Sequence, residues 1–187
     1  MQGFYYARHG ETEWNSQLLC QGCIDIKLSS KGRIDAEKLR AFFVRKKIRK
    51  IFTSPLVRAK ETATILSGGS AQIEVLQGLR ERGFGVFEGL PNTLMYAIED
   101  MELNRIFDTK QFYKKFSIEP IEAVFERVGA AIREISEQSE KFQEALNKEL
   151  QDEIVIVSHG RTFNSLCNYL GVEGIKQLQH SQIVYFY

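Results

Sequence analysis

Two of the three histidines in this chain stand in the same local setting. His9 and His159 are each followed by glycine, and each comes after a short apolar run, at 4–7 and at 154–157. Such a run ending at a turn residue predicts a buried strand. In an open α/β sheet, reactive groups gather beyond the carboxyl ends of the strands. If the two strands are neighbours, we expect the two imidazoles to form a catalytic pair.

Two arginines stand at comparable junctions. Arg8 directly precedes His9, and Arg58 follows another short apolar run, close to the start of a predicted helix. Arginine is planar, permanently charged and suited to bidentate contact with phosphate. A helix start adds backbone dipoles that favour an anion. These residues therefore indicate a phosphate-binding site at the strand ends.

A carboxylic acid completes the set of reactive groups. Glu81 lies between two arginines in a glycine-rich loop. A phosphate ester needs a proton on its leaving oxygen, which a carboxyl group can supply. A neutral imidazole can attack phosphorus to form a phosphohistidine, while arginines and a second histidine stabilise the oxygen charge. Together the residues predict phosphoryl transfer, and the sequence lacks a nucleotide P-loop pattern.

Strand and helix signals alternate along the chain, which is the βαβ pattern of an α/β fold. The second histidine-bearing strand and the strand before Arg58 are both short and apolar, as expected for strands covered on two faces. No internal repeat or linker stands out, so we expect one domain. The predicted strands are 3–8, 51–53, 73–75, 154–157 and 183–187.

The helices are predicted from apolar spacing and end signals. Ser29 or Ser30 caps a first helix, and Pro55 occupies the first turn of a second that ends at Gly68. Residues 80–118 are expected to form a loop and then one or two helices outside the sheet. A helix from Ile121 continues towards Leu150, and a last one ends at Gly171. The first helix carries its apolar side chains at Ile34, Leu39, Phe42 and Phe43.

Composition excludes several classes of protein. A chain of 187 residues is most simply one domain. Its net charge of +1 gives no overall positive potential that would attract nucleic acid or an anionic membrane. The basic residues of 45–50 are interpreted as the polar end of a helix. No apolar run approaches the length of a membrane span. We therefore expect neither nucleic-acid nor membrane partners.

The remaining chemistry-bearing residues give weaker signals. Cys20 and Cys23 have redox spacing, but with one further cysteine the count is odd, so free thiols in a reducing, cytoplasmic setting are favoured. The histidines lack metal-ligand spacing, and no metal site is predicted. His180 has no strand-end setting and is interpreted as a structural or surface residue.

Taken in order, these motifs resemble the histidine phosphatase superfamily, also called the phosphoglycerate mutase-like family. The resemblance covers nearly the whole chain, and five ordered matches are far more specific than any one of them. The first matching segment is 8–12. The second joins 14–15 and 21–22 with Asp25, Leu28, Ser29 and Gly32. The other three are 54–59 with 62–63, then 79–90, and 158–160.

The resemblance implies a three-layer α/β/α sandwich with a mostly parallel central sheet, formed by a single domain over 1–187. It implies that His9 is the transiently phosphorylated nucleophile and Glu81 the proton donor. No metal or organic cofactor is implied. The implied phosphate pocket is Arg8, Arg58 and His159, and the other implied substrate-binding residues are Asn15, Gln21, Gly22 and Gly160.

The function expected from the resemblance is that of a phosphomonoesterase of the histidine acid phosphatase type, acting on a small phosphorylated metabolite. One alternative is a cofactor-dependent phosphoglycerate mutase. Such mutases use extra basic residues, for which 90–118 offers Arg105, Lys110, Lys114 and Lys115 without a paired-arginine segment. A non-catalytic module that binds a phosphorylated ligand is a second alternative.

Three positions depart from the family pattern. Phe87 stands where many members have tryptophan, Lys27 replaces a frequent proline, and Glu122-Ala123 stands where many phosphatases have Glu-Ser. None belongs to the implied phosphate pocket, so these departures leave the chemistry in place and the substrate open. The sequence also leaves the oligomeric state open, with a homodimer as one option.

Overall fold

A mixed β-sheet forms the centre of the molecule in the computed structural model, which describes residues 3–44, 46, 48–103, 108–145, 153–173 and 178–186. The strand order is β3-β2-β4-β1-β5. Only β5 is antiparallel to its neighbour among these strands. The strands are β1 (Phe4–Arg8), β2 (Ile48–Thr53), β3 (Gln72–Val75), β4 (Glu153–Ser158) and β5 (Ile183–Phe186).

Helices cover both faces of this sheet and one end of it. Two single 3₁₀ turns, Gln77–Leu79 and Gly85–Phe87, lie in the loop that carries Glu81. The helices are α1 (Glu13–Ser16), α2 (Ser30–Phe43), α3 (Val57–Ser67), α4 (Asn92–Leu103), α5 (Thr109–Phe116), α6 (Ile121–Ala145) and α7 (Gly160–Leu170).

Alternation along β1 divides the core into two layers of side chains. Tyr5 and Ala7 point to the face covered by α2 and α3. Phe4 and Tyr6 point to the opposite face, where α6 and α7 pack. Because successive side chains of a strand face opposite sides, one apolar strand supplies both cores. The predicted three-layer α/β/α sandwich with a mostly parallel sheet is confirmed.

The helix ends follow the sequence signals closely. Ser29 is the N-cap of α2, and its hydroxyl accepts a hydrogen bond from the Gly32 N–H at 3.0 Å. Gly68 and Gly171 end α3 and α7 in the left-handed region, as predicted. The placement of Pro55 inside the first turn is wrong, because α3 begins at Val57 and the proline belongs to the preceding turn.

The predicted apolar face of α2 is partly wrong. Ile34 and Phe42 are 57% and 47% exposed, whereas Gly32, Ala36 and Phe43 are buried. The helix approaches the loop after β1 so closely that a Cβ at Gly32 would lie 2.0 Å from the Glu11 carbonyl oxygen. Small residues therefore form the buried stripe near the start of this helix, and of its large apolar side chains Ile34 and Phe42 turn outward while Phe43 stays in the core.

The basic segment 45–50 is also more than a solvated helix end. Lys50 is buried within β2, where its Nζ lies 2.6 Å from the Glu74 carboxylate. Lys46 packs over the ring of Tyr5. Arg45 and Lys47 lie outside the described residues. Paired and stacked lysines thus join this segment to the sheet.

The region 80–118 has the predicted form of a loop followed by helices outside the sheet. Its helices α4 and α5 enclose a third apolar cluster, made by Cys20, Phe84, Met95, Ile98, Tyr113 and Ile118. The predicted extension of α6 to Leu150 and the last residue of β5, Tyr187, fall outside the described residues. None of the described helices is long and apolar enough to cross a membrane.

Candidate active site

The parallel pairing of β1 with β4 brings the two His-Gly segments together. Arg8 is in register with Ser158, and the His9 N–H donates to the Ser158 carbonyl at 3.0 Å. The imidazole centroids of His9 and His159 are 5.0 Å apart. The expected histidine pair at the strand ends is therefore present in the structure.

The geometry of His9 prepares one ring nitrogen for attack. Its Nδ1 lies 2.7 Å from the Gly10 carbonyl oxygen. Because a carbonyl only accepts, Nδ1 carries the hydrogen and Nε2 keeps a lone pair. Burial, reinforced by the charges of Arg58 and Arg8, lowers the pKa of His9 well below its ordinary value. The imidazole is therefore neutral and nucleophilic near neutral pH.

His159 is fixed in a different way. Its Nε2 lies 2.7 Å from the Ser54 hydroxyl, and the Tyr6 hydroxyl donates to its backbone carbonyl at 2.9 Å. Burial, then the charge of Arg58, lowers the pKa of His159 well below its ordinary value. Its buried Nδ1 has no hydrogen-bond partner within the described part of the chain. That nitrogen is available to an oxygen of a bound group.

The two arginines are anchored by backbone carbonyls. Arg58, only 1% exposed, donates to Gly22 at 2.7 Å and to Ile24 at 2.8 Å. Arg8 donates to Leu178 at 2.8 Å. The Nε atoms of Arg8 and Arg58 are buried and unpartnered among the described residues. Buried donors are normally satisfied, so these two atoms indicate an anion site.

Glu81 is oriented by backbone N–H groups at both carboxyl oxygens. Oε1 accepts from the N–H of Arg82 at 2.9 Å. Oε2 accepts from the N–H of Arg161, in the first turn of α7, at 3.3 Å. The carboxyl group is thereby held at the helix start that follows His159, where it can exchange a proton with a bound ester.

The loop that carries Glu81 is clamped from α6. The Arg127 guanidinium donates to the carbonyls of Gly78, Arg80 and Glu81 at 2.8, 2.7 and 3.1 Å. It also pairs with Glu119, at 2.8 Å from its Nε. Burial alone would raise the pKa of Glu119, but bonds from Arg127 and the Gly83 N–H leave it below its ordinary value.

Sequence reasoning missed this clamp. Arg127 has the spacing of an ordinary exposed helix position, and Glu119 precedes the helix. The acidic position noted from the resemblance, Glu122, lies in the first turn of α6, whereas Glu119 makes the contacts with the loop. Their pairing depends on how α6 packs against the loop, which the chain order alone does not specify.

A pocket encloses about 650 Å³ of space, including solvent at its mouth, above the histidine pair. Eight of the nine predicted site residues line it: Arg8, His9, Asn15, Gln21, Gly22, Arg58, Glu81 and Gly160. The ninth, His159, is fully buried against His9. Lining residues that the sequence did not single out as site residues are Leu19, Cys20, Phe84, Asn92, Met95, Tyr96, Arg161 and Asn164.

His180 also lies close to the reactive pair. Its ring centroid is 5.6 Å from that of His9, and its buried Nε2 has no partner among the described residues. Burial lowers its pKa to about 3. The interpretation of His180 as a structural or surface residue stays a prediction, and the structure adds that the side chain is half-buried beside His9. The proximity follows from the antiparallel addition of β5 beside β1, which no local signal around His180 encodes.

The cysteines and acidic residues form no second centre in the described ranges. Cys20, Cys23 and Cys167 are free thiols. Burial raises the pKa of Cys20 to about 12, and the Cys23 sulfur accepts a hydrogen bond from Arg80 at 3.1 Å. No group of three or more metal-ligating side chains occurs in the part of the chain that the structure describes.

The fold and the paired histidines define a phosphoglycerate mutase-like α/β protein. The chain matches the histidine phosphatase superfamily (branch 1) over residues 4–185 and belongs to that superfamily. The predicted family is therefore confirmed.

Three similar proteins place the chain within this superfamily. Phosphoglycerate mutase-like protein 4 of Arabidopsis thaliana is 31% identical over 85% of this chain, which spans 66% of that relative. Putative phosphoserine phosphatase 2 of Hydrogenobacter thermophilus is 29% identical over 95% of this chain and 83% of the relative. A phosphoserine phosphatase structure from Entamoeba histolytica, in complex with phosphoserine, has a TM-score of 0.72 at 25% identity, covering 100% of this chain and 91% of that one.

Proposed function

We propose that this protein is a phosphomonoesterase that hydrolyses a small phosphorylated metabolite through a phosphohistidine on His9. One observation carries the proposal. The lone pair of a neutral His9 lies in a pocket beside three buried nitrogens, on Arg8, Arg58 and His159, that have no partner among the described residues. A phosphoryl group would satisfy all three donors while presenting phosphorus to the nucleophile.

In the first step, Nε2 of His9 attacks phosphorus and the bond to the ester oxygen breaks. Glu81 gives its proton to that oxygen, which leaves as an alcohol. Arg8, Arg58 and His159 stabilise the charge on the equatorial oxygens. In the second step, water attacks phosphorus, its proton passes to the Glu81 carboxylate, and the nitrogen–phosphorus bond breaks to release inorganic phosphate.

The relatives support hydrolysis of phosphate esters. Two of the three proteins compared above are named phosphoserine phosphatases. Lys110 and Lys114 line a separate depression beside α5, and Lys115 packs over Phe116. These three lysines thus lie away from the pocket where a mutase would hold a bisphosphate cofactor. Arg105 falls outside the described residues.

The test is hydrolysis of p-nitrophenyl phosphate by wild type, His9→Ala and a surface control, Lys38→Ala. We expect His9→Ala to lose at least ~10³-fold in kcat, because a covalent intermediate requires the nucleophile. The control should retain wild-type activity, since Lys38 is exposed on α2. Rapid quenching should trap an acid-labile, base-stable phosphoenzyme in wild type alone.

Two results would contradict the proposal. Absence of turnover in wild type would favour a non-catalytic binding module, and undiminished turnover in His9→Ala would exclude the proposed nucleophile. Incubation with 3-phosphoglycerate and 2,3-bisphosphoglycerate separates phosphatase from mutase. Release of inorganic phosphate is expected, whereas efficient isomerisation would identify a mutase.

A further inference from the structure

One face of α4 forms the outer wall of the pocket. Asn92, Met95 and Tyr96 line the pocket, and their spacing of three and four places them on one side of the helix. Glu99 is the next residue on that side. Opposite it lies Arg161, in the first turn of α7 and also part of the pocket lining. The buried Arg82 guanidinium also lies 3.7 Å from Oε1 of Glu99, so the charge balance of this wall depends on Glu99, Arg161 and Arg82.

Glu99 holds Arg161 in a two-point ion pair. Nε of Arg161 lies 2.8 Å from Oε1 of Glu99, and Nη2 lies 2.6 Å from Oε2. The guanidinium also stacks over the ring of Tyr96, 5.6 Å from its centroid. Both side chains of the pair are only about a quarter exposed, at 22% and 25%. Arg161 is thus ion-paired within the protein before any substrate binds, and Arg82 makes only the longer contact with the same carboxylate.

Apart from Tyr96 and the proposed proton donor Glu81, the other polar side chains of the outer pocket are neutral amides. Oδ1 of Asn15 accepts from the N–H and hydroxyl of Thr12, which leaves its Nδ2 as a donor. Oε1 of Gln21 is buried without a partner in the described ranges. Asn92 and Asn164 add two more amides to the lining. An amide both donates and accepts, which suits hydroxyl groups, but it carries no charge to neutralise an anion.

From this arrangement we infer that the physiological substrate is a phosphate monoester with a neutral, hydroxyl-bearing leaving group, a sugar or polyol phosphate. Glu99 is the residue that sets this preference. The inference rests on the proposed phosphatase function and adds the substrate class. A carboxylate beside the ester would have to approach Glu99 or displace it from Arg161, whereas a hydroxyl would bond to the amides without disturbing the pair.

The test uses two pairs of substrates that differ only in a CH₂OH against a carboxylate. These are glycerol 3-phosphate with 3-phosphoglycerate, and sorbitol 6-phosphate with 6-phosphogluconate. In wild type, kcat/KM should be at least ~10-fold higher for the neutral member of each pair, since a desolvated like charge disfavours the anionic member. A wild-type preference for the carboxylate in both pairs would overturn the inference.

The variant Glu99→Gln removes the two-point ion pair of Arg161 and the longer contact with Arg82, and so frees Arg161 to bind a substrate carboxylate. We expect the ratio of neutral to anionic kcat/KM to fall by about 10-fold or more, because a charge-assisted hydrogen bond becomes available. Adding Arg161→Gln to Glu99→Gln should remove that gain. The control Asp100→Asn, an exposed acid on the same helix, should keep the wild-type ratio.

The outcomes separate this inference from the proposed function. If wild type fails to hydrolyse p-nitrophenyl phosphate, the phosphatase proposal itself is wrong. If wild type is active but Glu99→Gln keeps the wild-type ratio, with circular dichroism showing a folded variant, Glu99 does not set the preference. Should Glu99→Gln not fold, the wild-type ratios on the two substrate pairs decide the substrate class.

Discussion

The inner and outer halves of the pocket are built in different ways. The inner half, with His9, Arg58 and His159, is buried at the strand ends and held largely by backbone carbonyls and short loops. The outer half is supplied largely by α4 and the start of α7, and most of its polar side chains are partly exposed, with Gln21 buried. The sheet thus fixes the groups that handle phosphate, while helices outside the sheet shape the space for the rest of the substrate.

This difference shows how one framework can serve different substrates. The register of β1 with β4 fixes the histidine pair, so changes there alter the reaction itself. Side chains on the pocket face of α4 can change without moving any strand, because that helix packs on a cluster of its own. We therefore expect substitutions in the inner half to affect all substrates and those in the outer half to affect substrate choice.

The largest effect after loss of the nucleophile is expected at Arg58. Arg58→Met should lower kcat/KM for every phosphate ester by about 10²–10³-fold, because a buried donor to the phosphoryl oxygens is lost. Arg58→Lys should recover little, since a lysine cannot reproduce the fork that bonds Gly22 and Ile24. The measurement is p-nitrophenyl phosphate kinetics beside thermal unfolding of each variant.

The matched control for Arg58 is Arg40→Met on α2. The Arg40 side chain is 43% exposed and pairs with Glu37 on the same helix. We expect it to keep wild-type kinetics. A folded Arg58→Met enzyme with activity equal to this control would show that the inner half does not depend on Arg58.

A smaller, substrate-dependent effect is expected at Arg127, which positions Glu81 through the backbone of its loop. Arg127→Met should reduce kcat/KM for an alkyl phosphate by roughly 10–100-fold, because the proton donor is displaced. With 2,4-dinitrophenyl phosphate the loss should be much smaller, since that leaving group departs without a proton. The ratio of the two losses measures the positioning role.

Arg133→Met is the control on the same helix, because Arg133 is exposed. It should leave the ratio of the two substrates unchanged. Equal losses on alkyl and dinitrophenyl phosphates in Arg127→Met would indicate that the clamp supports the fold without orienting Glu81.

The smallest expected effect is on how the free energy of unfolding depends on pH. Burial holds the pKa values of His9, His159 and His180 below 6.5 in the folded protein. Below pH 6.5 the unfolded chain therefore binds more protons at these histidines than the folded protein does. The stability that depends on keeping them neutral is fully present above that pH and decreases as the pH falls below it. Each histidine should lower the free energy of unfolding by about 1 kcal/mol as the pH falls from 7 to 5.5.

Urea unfolding of wild type and His180→Asn at several pH values checks this expectation. The variant should show a smaller decrease in unfolding free energy on acidification, because one buried neutral histidine is absent. An identical decrease in both proteins would show that His180 keeps its ordinary titration. The corresponding loss of stability would then belong to the histidine pair alone.

Much of the fold and of the inner half could be predicted from sequence, because their signals are local. The apolar runs before His9 and His159 became β1 and β4. Ser29 begins α2, and Gly68 and Gly171 end α3 and α7, as predicted. The apolar spacing of α2 predicted its buried face partly wrongly, because that face is decided by close packing with another part of the chain. The exposure of Ile34 and Phe42 follows from the approach of α2 to the chain after β1.

The sequence by itself determined the family, the alternation of strands and helices, and the types of residue that could handle a phosphate group. These follow from short-range periodicity and from ordered motifs. Tertiary structure alone decided the contact of His180 with His9, the Arg127 clamp on the Glu81 loop, and the Glu99–Arg161 pair in the pocket wall. Each of these joins residues that are distant in the chain, or on separate elements. Their meeting depends on strand order and helix packing, which act over the whole molecule.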